Sequence, residues 1–160
     1  MITSDRPAVH TIRPFVTQAD IDQVRKQYPT AVIAVGAGKT ARREQFRVDR
    51  YGLIFPGRRL LSRQPSEFGE PPEAEEIALV LDLIKSARLI RTRTPAFSSY
   101  KLKHSFERVL GRYISNGAAI VALSRATIRQ TPQGLNTMVC VSRPWVRTLD
   151  AQSWGAFNHV

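Results

Sequence analysis

The cations with the most informative spacing lie on a predicted helix near residue 120. Arg125 and Arg129 are four positions apart, which places both guanidinium groups on the same helical face. Ala118 and Ala122 are small enough on that helix to let its backbone approach DNA. Because arginine binds guanine edges and phosphates, the pattern predicts a recognition helix that contacts a DNA groove through Arg125 and Arg129.

The helix before it combines an apolar stripe with a basic side. Leu102, Phe106 and Val109 follow helical spacing, and a short turn ending at Gly117 joins the two helices as in a helix-turn-helix. A helical hairpin packed on a sheet, with its arginines in solvent, fits the same pattern. The residues of the first helix that we expect to contact phosphates are Lys101, Lys103, Arg108 and Arg112.

A second group of cations surrounds a predicted hairpin in the first half of the chain. Phe46 and Tyr51 lie among these arginines, and basic strands with aromatic residues can follow a nucleic-acid backbone and stack bases. A solvated hairpin with both aromatic rings in the core is the alternative. The group comprises Arg42, Arg43, Arg47, Arg50, Arg58, Arg59 and Arg63, and the first three are the expected nucleic-acid contacts.

The positive charge of the chain is large and unevenly distributed. The net charge is +11, and the segment from Arg88 to Val160 holds eleven Lys or Arg residues against only Glu107 and Asp150. A one-sided positive field attracts polyanions. The composition therefore indicates nucleic acid as the class of partner, without specifying a reaction or a target.

The remaining reactive residues give a thin case for catalysis. Gly38-Lys39-Thr40 ends like a phosphate-binding loop, but Ile33 stands where that loop needs a glycine, so a turn is predicted. His104 and Glu107 could form a weak acid–base pair or a simple surface contact. The single cysteine, Cys140, lies in an apolar strand that favours an inert thiol, and three scattered histidines lack zinc-ligand spacing. We expect a non-catalytic protein without metal or cofactor.

The elements that would position these residues predict an α+β fold. We expect a small sheet packed by three to four helices, with a helix-turn-helix-like pair at 99–129. Residues 1–14 are predicted to be an extended arm and residues 15–160 one domain, whose basic half begins near residue 88. The apolar tail around Trp145 and Leu149 is expected to pack on the body or on another subunit. Helices are predicted at 18–27, 73–87, 99–113 and 117–129, and strands at 31–35, 45–55 and 137–142.

One segment resembles known sequences. The run from Ser99 to His104, followed by Glu107, Gly111, Tyr113-Ile114-Ser115-Asn116-Gly117 and Ile120, is similar to a segment of small uncharacterised proteins from proteobacterial plasmids, phages and integrated elements. The resemblance implies a mobile-element context. It assigns no mechanism and no catalytic or binding residue.

These patterns together predict a DNA-binding protein, with RNA the less favoured ligand, that regulates or assists a mobile genetic element. The alternative is a protein-interaction module whose basic face docks an acidic host or defence protein. Two-fold operators make a homodimer the expected form of a helix-turn-helix protein. The chain shows no apolar run of membrane-spanning length and no secretory signal, so we expect a cytoplasmic location.

Overall fold

The computed structural model describes residues 16–27, 29–56, 58 and 69–157, of which 153–157 are described in backbone only. None of the described helices has the length and apolar content that a membrane crossing requires. Helices and antiparallel sheets confirm the α+β class. In chain order the elements are α1 (Gln18–Arg25), β1 (Thr30–Val35), β2 (Arg42–Val48), β3 (Leu53–Ile54), α2 (Ala74–Ser86), β4 (Phe97–Ser98), α3 (Ser99–Leu110), α4 (Asn116–Arg125), β5 (Gln130–Gln133), β6 (Asn136–Val139) and α5 (Arg143–Phe157).

The first sheet is a hairpin of β1 and β2 that β3 extends. Ala31 and Ile33 are buried whereas Val32 is 45% exposed, so β1 presents one face to the core and one to solvent. Arg43 pairs with Ala34 across the hairpin, and alternation along β2 places Arg43 and Arg47 on the outer face. A short 3-10 helix, Gly38–Thr40, makes the hairpin turn, which confirms that this segment is a turn.

The second sheet has the order β4-β6-β5, so the prediction of a single sheet is wrong. The 45–55 segment, predicted as one strand or a hairpin, forms the antiparallel strands β2 and β3. Between them the Asp49 carboxylate accepts hydrogen bonds from the backbone N–H groups of Tyr51 and Gly52, which forms a tight turn. Strand β5 was not expected because it contains Pro132. A proline is tolerated there because β5 lies at the edge of its sheet.

The three C-terminal helices build the centre of the molecule. Every residue of α4 from Asn116 to Leu123 is buried. Helix α3 begins at the Ser98 cap and ends where Gly111 adopts φ +67°, earlier than the predicted end at residue 113. Helix α5 was not predicted as a helix, but the expected packing of the tail is confirmed by its buried Trp145 and Leu149.

The start of α4 contacts the turn that follows β2. Asn116 Nδ2 donates to the carbonyl oxygen of Tyr51 at 2.7 Å, and the Gly117 N–H donates to that of Arg50 at 3.1 Å. A Cβ atom at Gly117 would lie 1.8 Å from the carbonyl oxygen of Asp49, so only glycine fits. The Ser115-Asn116-Gly117 segment therefore joins the first sheet to the helical core.

Helix α2 places one carboxyl group inside the core beside the same segment. The Glu76 side chain is buried and accepts a hydrogen bond from the Ser115 N–H at 2.7 Å. Burial raises the pKa of Glu76, and the Ser115 hydrogen bond opposes that shift. The first turn of α2 thus helps to fix the N-terminus of α4.

Candidate nucleic-acid interface

A groove about 280 Å³ in volume lies between the β1–β2 hairpin and the segment after α4. Arg42 and Arg43 reach it from the start of β2, and Arg129 reaches it from the residue before β5. We call this feature the arginine groove. Its lining is completed by Val32, Ala34, Ala41, Ser124, Thr127, Ile128 and Gln130.

A hydrogen bond joins the two walls of the arginine groove, and further hydrogen bonds fix the segment behind Arg129. The Val32 N–H, on the outer edge of β1, donates to Ser124 Oγ on α4 at 2.8 Å. Behind Arg129, the buried Gln130 donates from Nε2 to the Ile120 carbonyl oxygen and accepts from Thr137 Oγ1. The scaffold therefore fixes the backbone on both sides of the groove, while the arginine side chains point to solvent at its rim.

The turn after α4 directs Arg129 into the groove. Thr127 adopts φ +61°, a left-handed conformation that is unusual for a threonine. The Arg91 guanidinium stabilises this turn, because its Nη2 donates to the Ala126 carbonyl oxygen at 2.8 Å and to Thr127 Oγ1 at 2.9 Å. Arg91 thus has a structural role that its position in a basic stretch did not reveal.

Of the three groove arginines, Arg42 has an acid partner among the described residues and the other two do not. Arg42 Nε lies 2.7 Å from Glu44 Oε1, in an exposed ion pair of the kind that contributes little to stability. Arg43 and Arg129 are exposed and form no ion pair with any residue that the structure describes. Their guanidinium groups can bind an anion without losing an internal partner.

The predicted recognition helix is not exposed. Helix α4 ends at Arg125, and the left-handed Thr127 follows it, so Arg129 does not lie one helical turn from Arg125. Ala118 and Ala122 are fully buried and cannot approach DNA. Residues on every side of α4 from Asn116 to Leu123 are buried in the core, so the exposed face predicted from the sequence is absent from this part of the helix.

Arg125 lies at the end of α4, partly buried, close to the groove wall at Ser124. Burial lowers the pKa of Arg125, although a guanidinium stays protonated in proteins. Its position at the helix C-terminus is favourable for a cation, because the helix dipole is negative there. Arg125 can therefore add positive potential beside the arginine groove without being one of its lining residues.

The cations of α3 and the following loop are mostly paired with acids. Lys101 Nζ lies 2.9 Å from Asp150 Oδ2, and Arg112 Nη1 lies 2.9 Å from Glu75 Oε1. Lys103 is buried and bonds the Glu107 carboxylate. The expectation that Lys103 contacts phosphates is therefore wrong, since its ammonium lies inside the protein. Of this set only Arg108 is exposed without an acid partner among the described residues.

The hairpin arginines also divide into structural and exposed residues. Arg58 is buried, with Nη2 at 2.9 Å from Asp49 Oδ1, and Arg50 pairs with Glu70 and Glu73. Arg47 is exposed on the outer face of β2 and remains a candidate contact. Arg59 and Arg63 lie outside the described residues. Phe46 packs against the core, as the alternative interpretation of the hairpin expected.

The reactive side chains named from the sequence, His104, Glu107 and Cys140, all lie in the described part of the chain. No group of three His, Cys, Asp or Glu residues there is arranged to hold a metal ion. Burial raises the pKa of the Cys140 thiol, an effect that Arg129 partly opposes, so the thiol is held in its unreactive protonated form. His104 and Glu107 do contact each other, with Nδ1 and Oε2 3.0 Å apart.

Comparisons with protein-family models, with curated proteins and with solved structures gave no match to this chain. The function has therefore to be argued from the groove and its surroundings. Sequence reasoning did not single out Ser124, Thr127 and Gln130, which complete the groove wall. Their polar types carry no signal until the fold places them beside the hairpin arginines.

Proposed function

We propose that this protein binds nucleic acid, with DNA as its first candidate ligand, through the arginine groove. The convergence of arginines from two distant parts of the chain carries the proposal. Arg42 and Arg43 come from the hairpin and Arg129 from the segment after α4, yet all three line one groove. Sequence reasoning had placed them in two separate patches.

Arg43 and Arg129 have no acid partner among the described residues, which makes phosphate the chemically matched ligand. A guanidinium group donates two parallel hydrogen bonds to a phosphate, and such charge-assisted bonds are about twice as strong as neutral ones. Each phosphate that is neutralised also releases counterions, so binding weakens as salt rises. The net charge of +11 adds a long-range attraction for the same ligand.

The shape of the site favours contact with the backbone of nucleic acid over reading of base edges. Helix α4, which follows the turn, is buried from Asn116 to Leu123 and so cannot enter a major groove as a recognition helix does. Phosphate contacts position a protein on nucleic acid and carry little sequence information. We therefore propose a largely sequence-independent mode of binding. An accessory role in a mobile element stays the proposed context, on the resemblance of the Ser99–Gly117 segment alone.

Fluorescence anisotropy with labelled 20-mers, as duplex DNA, single-stranded DNA and RNA, tests the proposal at low salt. We expect the wild type to bind, and the Arg43→Ala/Arg129→Ala variant to bind about tenfold or more weakly, since two charge-assisted contacts are lost. The control, Arg25→Ala/Lys26→Ala, removes the same charge from the exposed end of α1, where Arg25 pairs with Asp22 and neither residue lines the groove. It should lose no more than about twofold.

Two results would contradict this function. Equal losses in the groove variant and in the control would show that only net charge matters. Failure of the wild type to bind any oligonucleotide, together with binding to an acidic polypeptide such as polyglutamate, would favour the protein-interaction module instead. Absorbance at 260 nm relative to 280 nm, for protein purified at low salt, gives an independent check on copurifying nucleic acid.

A further inference from the structure

Two exposed tyrosine rings lie at α3 and in the loop after it, and neither lines the arginine groove. Tyr100, in the first turn of α3, is 51% exposed, and Tyr113, in the loop after α3, is 64% exposed. Both contact the same buried cation: Lys103 Nζ lies 4.4 Å from the centre of the Tyr113 ring and 5.9 Å from that of Tyr100. The two rings therefore belong to one cluster.

A single carboxylate anchors this tyrosine cluster. Glu107 accepts a hydrogen bond from Lys103 Nζ, contacts His104 Nδ1 at 3.0 Å and accepts from the Ile114 N–H at 3.3 Å. The His104 ring in turn meets the Tyr100 ring edge to face, with centres 4.6 Å apart and planes at 88°. Glu107 thus fixes, through Lys103 and His104, the surroundings of both exposed rings.

The carboxylate of Glu107 keeps its charge in this arrangement. Burial acts to raise the pKa of Glu107, but the hydrogen bonds from Lys103, His104 and Ile114 outweigh burial and lower it. An ionised Glu107 holds the Lys103 ammonium beneath the tyrosine rings at neutral pH. The Lys103 ammonium and the His104 ring contact the tyrosine rings without any ligand, which limits the rearrangement that binding requires.

The geometry points to Tyr100 and Tyr113 as a platform on which unpaired bases of single-stranded nucleic acid stack, an inference that rests on the proposed function. Exposed aromatic rings beside cations are the means by which proteins bind single strands without sequence preference. Arg108 is exposed and lies one helical turn beyond His104, on the same side of α3 as Tyr100, where it can bind the phosphates between stacked bases.

Charge favours a nucleic-acid strand over a protein surface as the occupant. Within the cluster the Lys103 and Glu107 charges cancel, and beside Tyr113 the guanidinium groups of Arg50 and Arg112 lie among the Glu73 and Glu76 carboxylates. Arg108 is an exposed cation of α3 without an acid partner among the described residues. The whole chain adds a strongly positive field. An unpaired base attached to a negatively charged backbone complements both the exposed rings and the positive charge. A duplex does not, because its bases are already paired and stacked.

Anisotropy titrations with a 15-mer of dT, its abasic analogue and a 15-base-pair duplex test the platform. For the single strand we expect Tyr100→Leu/Tyr113→Leu to lose about fivefold or more in affinity, because both rings on which bases stack are removed. The control, Tyr100→Phe/Tyr113→Phe, keeps the rings and should retain wild-type affinity within about twofold. Duplex affinity should stay unchanged in both variants.

The abasic strand tests the platform without any substitution. It carries the same phosphates as the 15-mer of dT, so the wild type should bind it more weakly and the Leu variant should not distinguish the two. Wild-type protein that binds both strands equally, or Leu variants that keep full affinity for the single strand, would overturn the platform while leaving the arginine groove intact. If the wild type binds none of these nucleic acids, both proposals are overturned.

Discussion

The arginine groove and the α3 region both contain several cations, yet they present very different charges to solvent. In the groove, Arg43 and Arg129 have no acid partner among the described residues. On α3, Lys101 pairs with Asp150 and Lys103 with Glu107. A count of basic residues along a sequence therefore says little about where a positive surface lies.

The acids that neutralise the α3 region come largely from distant parts of the chain. Asp150 lies on α5 and Glu75 on α2, so neither is near its partner in sequence. The basic C-terminal half thus loses much of its displayed charge on folding. The groove gains charge by the same process, since the fold brings Arg129 to the hairpin arginines. Under the proposed function the groove charges serve binding, whereas the paired charges of α3 hold its side chains in place.

The largest expected effect is on stability and concerns the Ser115-Asn116-Gly117 segment, which joins the first sheet to the helical core. Gly117→Ala should destabilise the protein by about 3 kcal/mol or more, because its Cβ atom would lie 1.8 Å from the Asp49 carbonyl oxygen. Urea unfolding followed by circular dichroism measures the loss. The matched control is Gly111→Ala, which meets no atom within 4 Å and pays only for its left-handed conformation, about 1 kcal/mol. Equal losses would contradict the close packing of α4.

A buried cation of α3 should matter more for stability than an exposed cation of the groove. Lys103→Met keeps the volume but leaves the Glu107 carboxylate without its ammonium, and we expect a loss of about 2–3 kcal/mol in the free energy of unfolding. Arg129→Met should change that free energy by no more than about 0.5 kcal/mol. Chemical denaturation of both variants gives the comparison. A larger loss for Arg129→Met would reverse the assignment.

A carboxylate placed in the groove should neutralise its arginines, as acids neutralise the cations of α3. Ala41 lines the groove, so Ala41→Glu should give the arginines an acid partner and weaken DNA binding about fivefold. Ala19→Glu, at an exposed position of α1, changes the net charge equally and should cost less than about twofold. Anisotropy titrations at low salt measure both. Equal weakening by the two variants would argue against a localised site.

The smallest expected effect is the contribution of Glu107 to the pH dependence of stability. Because the folded pKa of Glu107 lies below its ordinary value of 4.5, this group stabilises the fold above that value. The contribution is lost as the pH falls through the folded pKa. Glu107→Gln should therefore flatten the decline in melting temperature between neutral and acidic pH. An unchanged decline would show that Glu107 does not contribute to acid sensitivity.

Sequence patterns predicted those elements of the fold whose signals lie within the element itself. The capping box of Thr17 and Asp20 marks α1, and the apolar face of α2 follows helical spacing, so both were located within two residues. The early end of α3 depends on the backbone conformation of Gly111, which the apolar spacing up to Tyr113 concealed. The division into two sheets depends on strand pairings that no local pattern encodes.

The candidate site was predicted only in part. Arg42, Arg43 and Arg129 were named from their types, but their convergence depends on contacts between residues that are distant in sequence. The burial of Lys103 could not be foreseen, because it depends on Tyr113 and Glu107 closing over it in the folded chain. Residue type indicates which cations exist, and packing decides which of them a ligand can reach.

The salt dependence of DNA binding tests the central claim most directly. The slope of log affinity against log salt concentration should fall by about two in Arg43→Ala/Arg129→Ala relative to the wild type, since each lost phosphate contact removes about one unit. The control Arg25→Ala/Lys26→Ala should keep the wild-type slope. Identical slopes for wild type and groove variant would show that Arg43 and Arg129 do not contact phosphates, and would contradict the arginine groove as the nucleic-acid interface.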